Sequence, residues 1–234
     1  IESAKNMLMT PPVSAEEIVS LTSEGLKLFP GHLDIYVRPL IWAESSMGLL
    51  RCDPYSAKFC LTIIHMPMPE DRGFSACLSN YRKPAADSAP TDAKAACLYP
   101  NGARAIQEAS EKGFENAVML DQEGYIAEFA SANLFAVVND EIITPEHNNT
   151  FLNGITRKRV LILARNLGFS ISERKVKPEE LEKASEIFNT GNFGKLMFVN
   201  RYQNKTLPKG PIYKALREAY WDFSSSQTIQ KQTP

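Results

Sequence analysis

Between residues 116 and 145 the chain turns twice from strand to tight turn to strand. "NAVMLDQEGYIAEF" is the first such unit, and "NLFAVVNDEIITP" is the second, with Asn139-Asp140 at its turn. Short apolar runs broken by Asp, Gly and Asn punctuation read as antiparallel hairpins. Helical periodicity stands on both sides of them. "PNGARAIQEASEKG" reads as a helix with Pro100 in its first turn and Gly113 at its stop, and "GITRKRVLILARNLG" is amphipathic and closed by Gly168. Adjacent hairpins flanked by helices require a mixed α+β fold.

The remaining segments fit that class. "SAEEIVSLTSEGLKLFP" reads as a helix opened by a Ser14/Glu17 capping box, with Gly31 beyond its end. "HLDIYVRPLIWA" is a strand whose Pro39 points to an edge or a bulge. "KFCLTIIHM" is apolar enough to predict a strand buried on both faces. "GFSACLSNYRKP", "SEIFNTG" and "KLMFVNRY" are further strands, "KPEELEKAS" is a short helix, and "GPIYKALREAYWDF" is a closing helix. "MPMPEDRG", with its prolines, charges and glycine, is the linker. The expected organisation is a small domain over residues 1–66, a linker over 67–74, a large domain over 75–224 and a disordered tail over 225–234. The opening "IESAKNMLM" reads as the interior of a helix with no capping residue ahead of it, so a preceding segment is expected.

Composition excludes several classes. With 26 basic against 27 acidic residues there is no electrostatic case for nucleic acid or an anionic membrane. No apolar run reaches the roughly 20 residues a spanning helix needs. Cys52, Cys60, Cys77 and Cys97 form no C-x-x-C pair, and a chain of 234 residues does not need disulfide staples, so they are expected reduced and mostly buried, in a cytoplasmic protein. His32, His65 and His147 lack ligand spacing, so no metal is expected. Neither a G-x-G-x-x-G nor a Walker motif is present.

Five places carry chemistry. Lys94 sits among small apolar neighbours in "APTDAKAA". A lysine kept from water gives up its proton more readily, and a neutral amine can attack an aldehyde; a snorkelling surface lysine is the plainer alternative. Glu128 stands in the apolar run "GYIAEFASANLF", where a buried carboxylate could pair with a pyridinium nitrogen; more simply, it is a strand glutamate that faces solvent or is salt-bridged to one of the many lysines. In "FLNGITRKRV" the loop ends at Asn153-Gly154 and a helix opens at Ile155 and Thr156, which makes either an anion pocket or an ordinary helix start. In "NTGNFGKL", Gly191 and Gly194 with Asn192 form a ligand-facing turn or a bulge. Tyr36 and Arg38 project from one strand face, as a carboxylate site or an exposed edge pair.

The order of these pieces, with "SAK", "YVRPL", "APTDAKA" before a tyrosine, "E-x-x-x-x-N-L-F", "GITR", "EIFNTG" and "GPIYKALREAYW", resembles the class IV aminotransferases, the fold-type IV pyridoxal-phosphate enzymes. Within them it is most similar to the branched-chain amino acid aminotransferase group. The resemblance covers about residues 3–223. It implies an N-terminally truncated small α/β domain and a larger domain with a β pseudo-barrel and flanking helices. It also implies pyridoxal 5'-phosphate as cofactor, held as a Schiff base by Lys94, which would later carry the proton. Tyr99 would bond the phenolic oxygen, Glu128 would pair with the ring nitrogen, and Gly154, Ile155, Thr156, Gly191 and Asn192 would hold the phosphate. Tyr36, Arg38, Ala130, Asn192 and Phe193 would line the substrate pocket. The implied reaction moves an amino group from an amino acid, a branched-chain one first, to a 2-oxo acid such as 2-oxoglutarate, in a homodimer. D-amino acid or (R)-amine transamination, aminodeoxychorismate lysis and a non-catalytic ligand-binding remnant are the alternatives. A phosphate-binding arginine and further strands of the small domain would precede residue 1. Family members often carry threonine at position 192 and "GGNY" in place of "ACLY".

Overall fold

The computed structural model describes residues 1–226. The chain forms two compact units. The first comprises Ile1–Pro69 together with Asp92–Ala95, and the second comprises Glu70–Thr91 and the chain from Ala96 onward.

The first unit contains helix α1 (Glu2–Asn6), helix α2 (Ala15–Leu26), strand β1 (Ile35–Ala43), the small hairpin β2 (Ser46–Met47) and β3 (Arg51–Cys52), and strand β4 (Ala57–His65). Ser14 opens α2 as its sequence predicts, its Oγ accepting from the Glu17 N–H at 3.1 Å. β1 and β4 pair antiparallel as a two-stranded sheet, with Pro39 opposite Leu61. Pro39 therefore lies on one strand of a two-stranded sheet, an edge strand of the kind where proline is tolerated. The expectation that β4 is buried on both faces is not met: only Ala57 in it is buried, and Ile64 is 41% exposed. An apolar run reports a preference for burial, but two strands and one short helix cover only part of such a sheet.

The second unit contains β5 (Phe74–Arg82), α3 (Tyr99–Glu111), β6 (Asn116–Leu120), β7 (Ile126–Phe129), β8 (Asn133–Val138), β9 (Glu141–Pro145), α4 (Ile155–Asn166), β10 (Ile171–Arg174), α5 (Pro178–Lys183), β11 (Glu186–Gly191), β12 (Lys195–Tyr202), β13 (Lys205–Thr206) and α6 (Pro211–Ser226). Its strands form one sheet in the order β10-β9-β8-β11-β12-β5-β6-β7, with β13 paired to β12. The β8–β9 turn is tight because Asn139 and Asp140 both adopt positive φ (51° and 62°), the geometry that matches the twist of a hairpin. Sequence reading missed β10, which pairs parallel to β9, and the short strands β2, β3 and β13.

Alternate residues separate two cores. Leu134, Ala136, Ile143, Ile187 and Val199 join Phe74, Val118 and Phe129 in one cluster. Phe135, Val137, Ile142, Phe188 and Phe198 join α4 and α6 in another. β7 and β9 stand six strands apart in the order, about 29 Å in a flat sheet, yet both supply side chains to the first cluster. The sheet is therefore curled on itself, as the pseudo-barrel expectation requires. On its outer side Phe135 stacks on Phe188 at 5.3 Å with ring planes 2° apart. A third cluster seats α3 on β5 and β6 through Ala105, Ala109, Cys77, Ala117 and Met119. Gly102 allows that seating, since a Cβ there would stand 2.9 Å from the Ala130 carbonyl oxygen.

Two expectations are corrected. Of the four cysteines only Cys77 is buried, Cys60 and Cys97 are exposed, and Cys52 is intermediate; Cys60 lies on the thinly covered β4. Ser225 and Ser226, read as tail, belong to α6. Residues 227–234 of the expected tail lie outside the described residues.

Candidate active site

Glu128 is the centre of the site in the second unit. Every residue of β7 is buried, and Glu128 is 8% exposed. A carboxylate so placed needs donors. Lys83, just past the end of β5, brings its Nζ to 2.7 Å from Oε1. Asn133, the first residue of β8, donates from Nδ2 to Oε2 at 2.9 Å.

The same Nδ2 donates its second proton to the Leu152 carbonyl at 2.8 Å. Asn133 thus ties Glu128 to the loop that enters α4. That loop is shaped to receive it: an ideal Cβ on Gly154 would lie 2.3 Å from Asn133 Oδ1. Gly154 is the N-cap of α4, with extended φ and ψ (−60°, 145°), and among the described residues no side chain caps the helix. Its first-turn N–H groups are therefore open to an anion. Thr156 is buried and Ile155 is exposed. Arg157 is turned away, its buried guanidinium bonded to the Asn153 side chain, the Pro145 carbonyl and Glu173. Burial pulls its pKa down, against the opposing charge of Glu173.

The glycine turn adjoins this region. Thr190 is the register partner of Asn133 across β11–β8, and antiparallel partners project from the same sheet face. A Cβ on Gly191 would meet Ala132 Cβ at an ordinary 3.5 Å, so this glycine is not forced by crowding. Asn192 Oδ1 accepts from Lys195 Nζ at 2.7 Å, and the residue is exposed. Phe193 is 57% exposed. Thr190 is 1% exposed, and among the described residues nothing pairs with its Oγ1. A buried hydroxyl without a partner, on the face of Asn133 and α4, suits a ligand oxygen. Tyr99, the first residue of α3, is exposed, and Ala130 is partly buried against the third cluster.

Lys94, Tyr36 and Arg38 belong to the first unit. Ala93 and Ala95 are buried but Lys94 between them is exposed. The expectation that its neighbours keep it dry is thus corrected: the two alanines are buried themselves and do not bury the lysine between them. Its backbone is held, the Lys94 N–H donating to Ser3 Oγ at 3.0 Å, and Asn6 bonds Asp92 at 2.9 Å. These two bonds join the "SAK" and "APTDAK" segments across about ninety residues of sequence. Tyr36 and Arg38 occupy alternate positions on β1, opposite Ile64 and Thr62.

Sequence reading did not single out Lys83, Asn133, Thr190 or Lys195. Asn133 lay in plain view as the asparagine of "E-x-x-x-x-N-L-F". The other three carry no local signal, because their roles come from partners on other strands or across a turn. Among the described residues no group of His, Cys, Asp or Glu could hold a metal ion, and no helix is long and apolar enough to cross a membrane.

Residues 1–202 match the family described as amino-transferase class IV. A probable branched-chain-amino-acid aminotransferase of Aquifex aeolicus is 30% identical over 228 residues, covering 95% of this chain and 73% of that protein. Its counterpart in Rickettsia typhi is 34% identical over 192 residues, covering 82% of this chain and 66% of that protein. The chain thus spans about two thirds to three quarters of the length of these curated relatives. An aminotransferase structure from Brucella abortus, bound to the co-factor PLP, superposes with a TM-score of 0.94 at 40% identity, covering 96% of this chain and 80% of that one. Family match, identity and superposition agree with the buried carboxylate and the open helix start: the chain belongs to the class IV aminotransferases.

Proposed function

We propose that this chain is a pyridoxal-phosphate-dependent aminotransferase that moves an amino group between a branched-chain amino acid and a 2-oxo acid such as 2-oxoglutarate. The observation that carries the reading is Asn133, which bonds a buried carboxylate with one amide proton and the loop entering an uncapped helix with the other. A phosphorylated pyridine has those two demands, an acidic partner for its ring nitrogen and an anion cradle for its phosphate. The unpartnered Thr190 hydroxyl adds a place for one more oxygen.

When bound, pyridoxal phosphate supplies an electron sink that makes the α-proton of an amino acid removable. The chain's residues do the rest. Glu128 holds the proton at the ring nitrogen. The α4 N–H groups, Thr156 and the Gly154–Ile155 backbone would bind the phosphate, together with Gly191 and Asn192. Tyr99 donates to the phenolic oxygen. Lys94 acts first as the amine nucleophile and then as the base that takes and returns the α-proton at its Nζ. Tyr36, Arg38, Ala130, Asn192 and Phe193 orient the substrate, Arg38 through its carboxylate. The reading also carries a homodimer in the cytoplasm, supported by the family resemblance and the free cysteines; light scattering tests the first.

The test is direct. Pyridoxal phosphate added to the purified chain should give a yellow protein, and borohydride should fix the cofactor on Lys94, as peptide mapping would read. Leucine, isoleucine and valine should be better donors than D-alanine or (R)-amines against 2-oxoglutarate. A colourless protein that rejects the cofactor, or transamination surviving Lys94→Ala, would overturn the proposal.

A further inference from the structure

We propose that Lys83 is a positioning residue for Glu128: its ammonium holds the buried carboxylate ionised and fixes its orientation, so that Glu128 meets a ring nitrogen as an anion. The inference rests on the cofactor reading above and extends it to a residue that does not itself touch the reacting atoms.

The geometry is specific. Lys83 and Glu128 side chains are 16% and 10% exposed, and their charged atoms are 2.7 Å apart. Asn133 holds the other oxygen. Each carboxylate oxygen has more than one lone pair, so both oxygens can carry these donors and Oε1 or Oε2 can still accept a third. A neutral donor such as Asn133 orients a carboxyl group and favours its charged form. A cation adds to this, because an opposite charge within a few ångströms favours the ionised form against burial. Arg157 also senses Glu128, but its guanidinium is engaged by Glu173, the Pro145 carbonyl and Asn153. Lys83 is in direct contact with the carboxylate.

Its placement has a structural cause. The Lys83 N–H donates to the Leu120 carbonyl at 2.8 Å, which continues the β5–β6 pairing one residue past Arg82. β6 in turn pairs with β7, where Met119 lies opposite Glu128. The side chain thus starts from a fixed point two strands away and reaches across β6.

The experiment follows the carboxyl group directly. Infrared titration of the full chain without cofactor, with Glu128→Gln as the reference, isolates the Glu128 carboxyl band. Glu128 should be ionised at neutral pH in the unsubstituted chain and should hold its proton to higher pH in Lys83→Met. Pyridoxal phosphate should bind Lys83→Met about 10- to 100-fold more weakly, the range for losing a hydrogen bond to a charged group. Lys83→Arg should restore both. A purely structural lysine would lower thermal stability and leave the carboxyl titration where it was, and that result overturns the proposal. If Lys83→Met does not fold, Lys83→Gln keeps a donor without charge and should show the same shift; an unmoved titration there is equally fatal. Should the unsubstituted chain bind no pyridoxal phosphate, the functional reading falls, while the infrared arm still decides what Lys83 does.

Discussion

Gly154→Ala should destabilise this protein even though its backbone angles suit alanine. At φ −60° and ψ 145° alanine is unstrained, and at such a site the substitution ordinarily stabilises by about 0.4–1 kcal/mol through the unfolded chain. Here the new methyl would stand 2.3 Å from Asn133 Oδ1 and 3.5 Å from its Cγ. Asn133 is not free to swing aside, since its Nδ2 bonds Glu128 Oε2 at 2.9 Å and the Leu152 carbonyl at 2.8 Å. A bond to a charged group contributes about 1.5–3 kcal/mol and a neutral one about 0.5–1.5 kcal/mol. Losing most of both, less the gain in the unfolded state, leaves a net destabilisation of about 1–3 kcal/mol. Urea unfolding followed by circular dichroism would read this as a lower midpoint at unchanged slope. In an Asn133→Ala background the methyl meets no amide, so Gly154→Ala should there be neutral or stabilising. A Gly154→Ala protein as stable as the parent, or a penalty that persists without Asn133, would refute the argument.

Other outcomes follow from the same contacts. Burial opposes ionisation of Glu108, but the Lys112 ammonium, the Ser79 hydroxyl and the Asn80 N–H bring its pKa down to about 2. Its contribution is thus full above the unfolded value near 4.5 and is lost as pH falls toward about 2; Glu108→Gln should flatten that part of an acid-unfolding curve. Thr190→Val should leave stability equal or higher, because the hydroxyl has no partner among the described residues, yet weaken pyridoxal phosphate binding by about 5- to 10-fold in a fluorescence titration. Glu186 accepts from the Ile212 and Tyr213 N–H groups at the start of α6, so Glu186→Ala should cost about 2–3 kcal/mol in chemical unfolding.

Local chemistry was legible in the sequence wherever a residue acts on its own neighbours. Ser14 caps α2, Asn139 and Asp140 turn β8 into β9, and Gly113 and Gly168 end their helices at positive φ (76° and 77°). Each is settled within a few residues by hydrogen bonding or allowed φ, so the string of letters suffices. The order of motifs also sufficed for the family, because "GITR" and the spaced "E-x-x-x-x-N-L-F" sit on a helix start and a strand pair whose geometry they dictate.

Tertiary structure decided the partners. Lys83 and Glu128 are 45 positions apart, Ser3 and Lys94 are 91 apart, and Glu186 caps a helix 26 positions away. No periodicity encodes such pairs, since they depend on which strands become neighbours. Burial was likewise undecided by residue type. The apolar β4 came out half exposed because little covers it, whereas the charged Glu128 came out buried because β7 lies inside a curled sheet. Hydrophobicity states what a side chain prefers, and only the packing of distant segments determines whether it is satisfied.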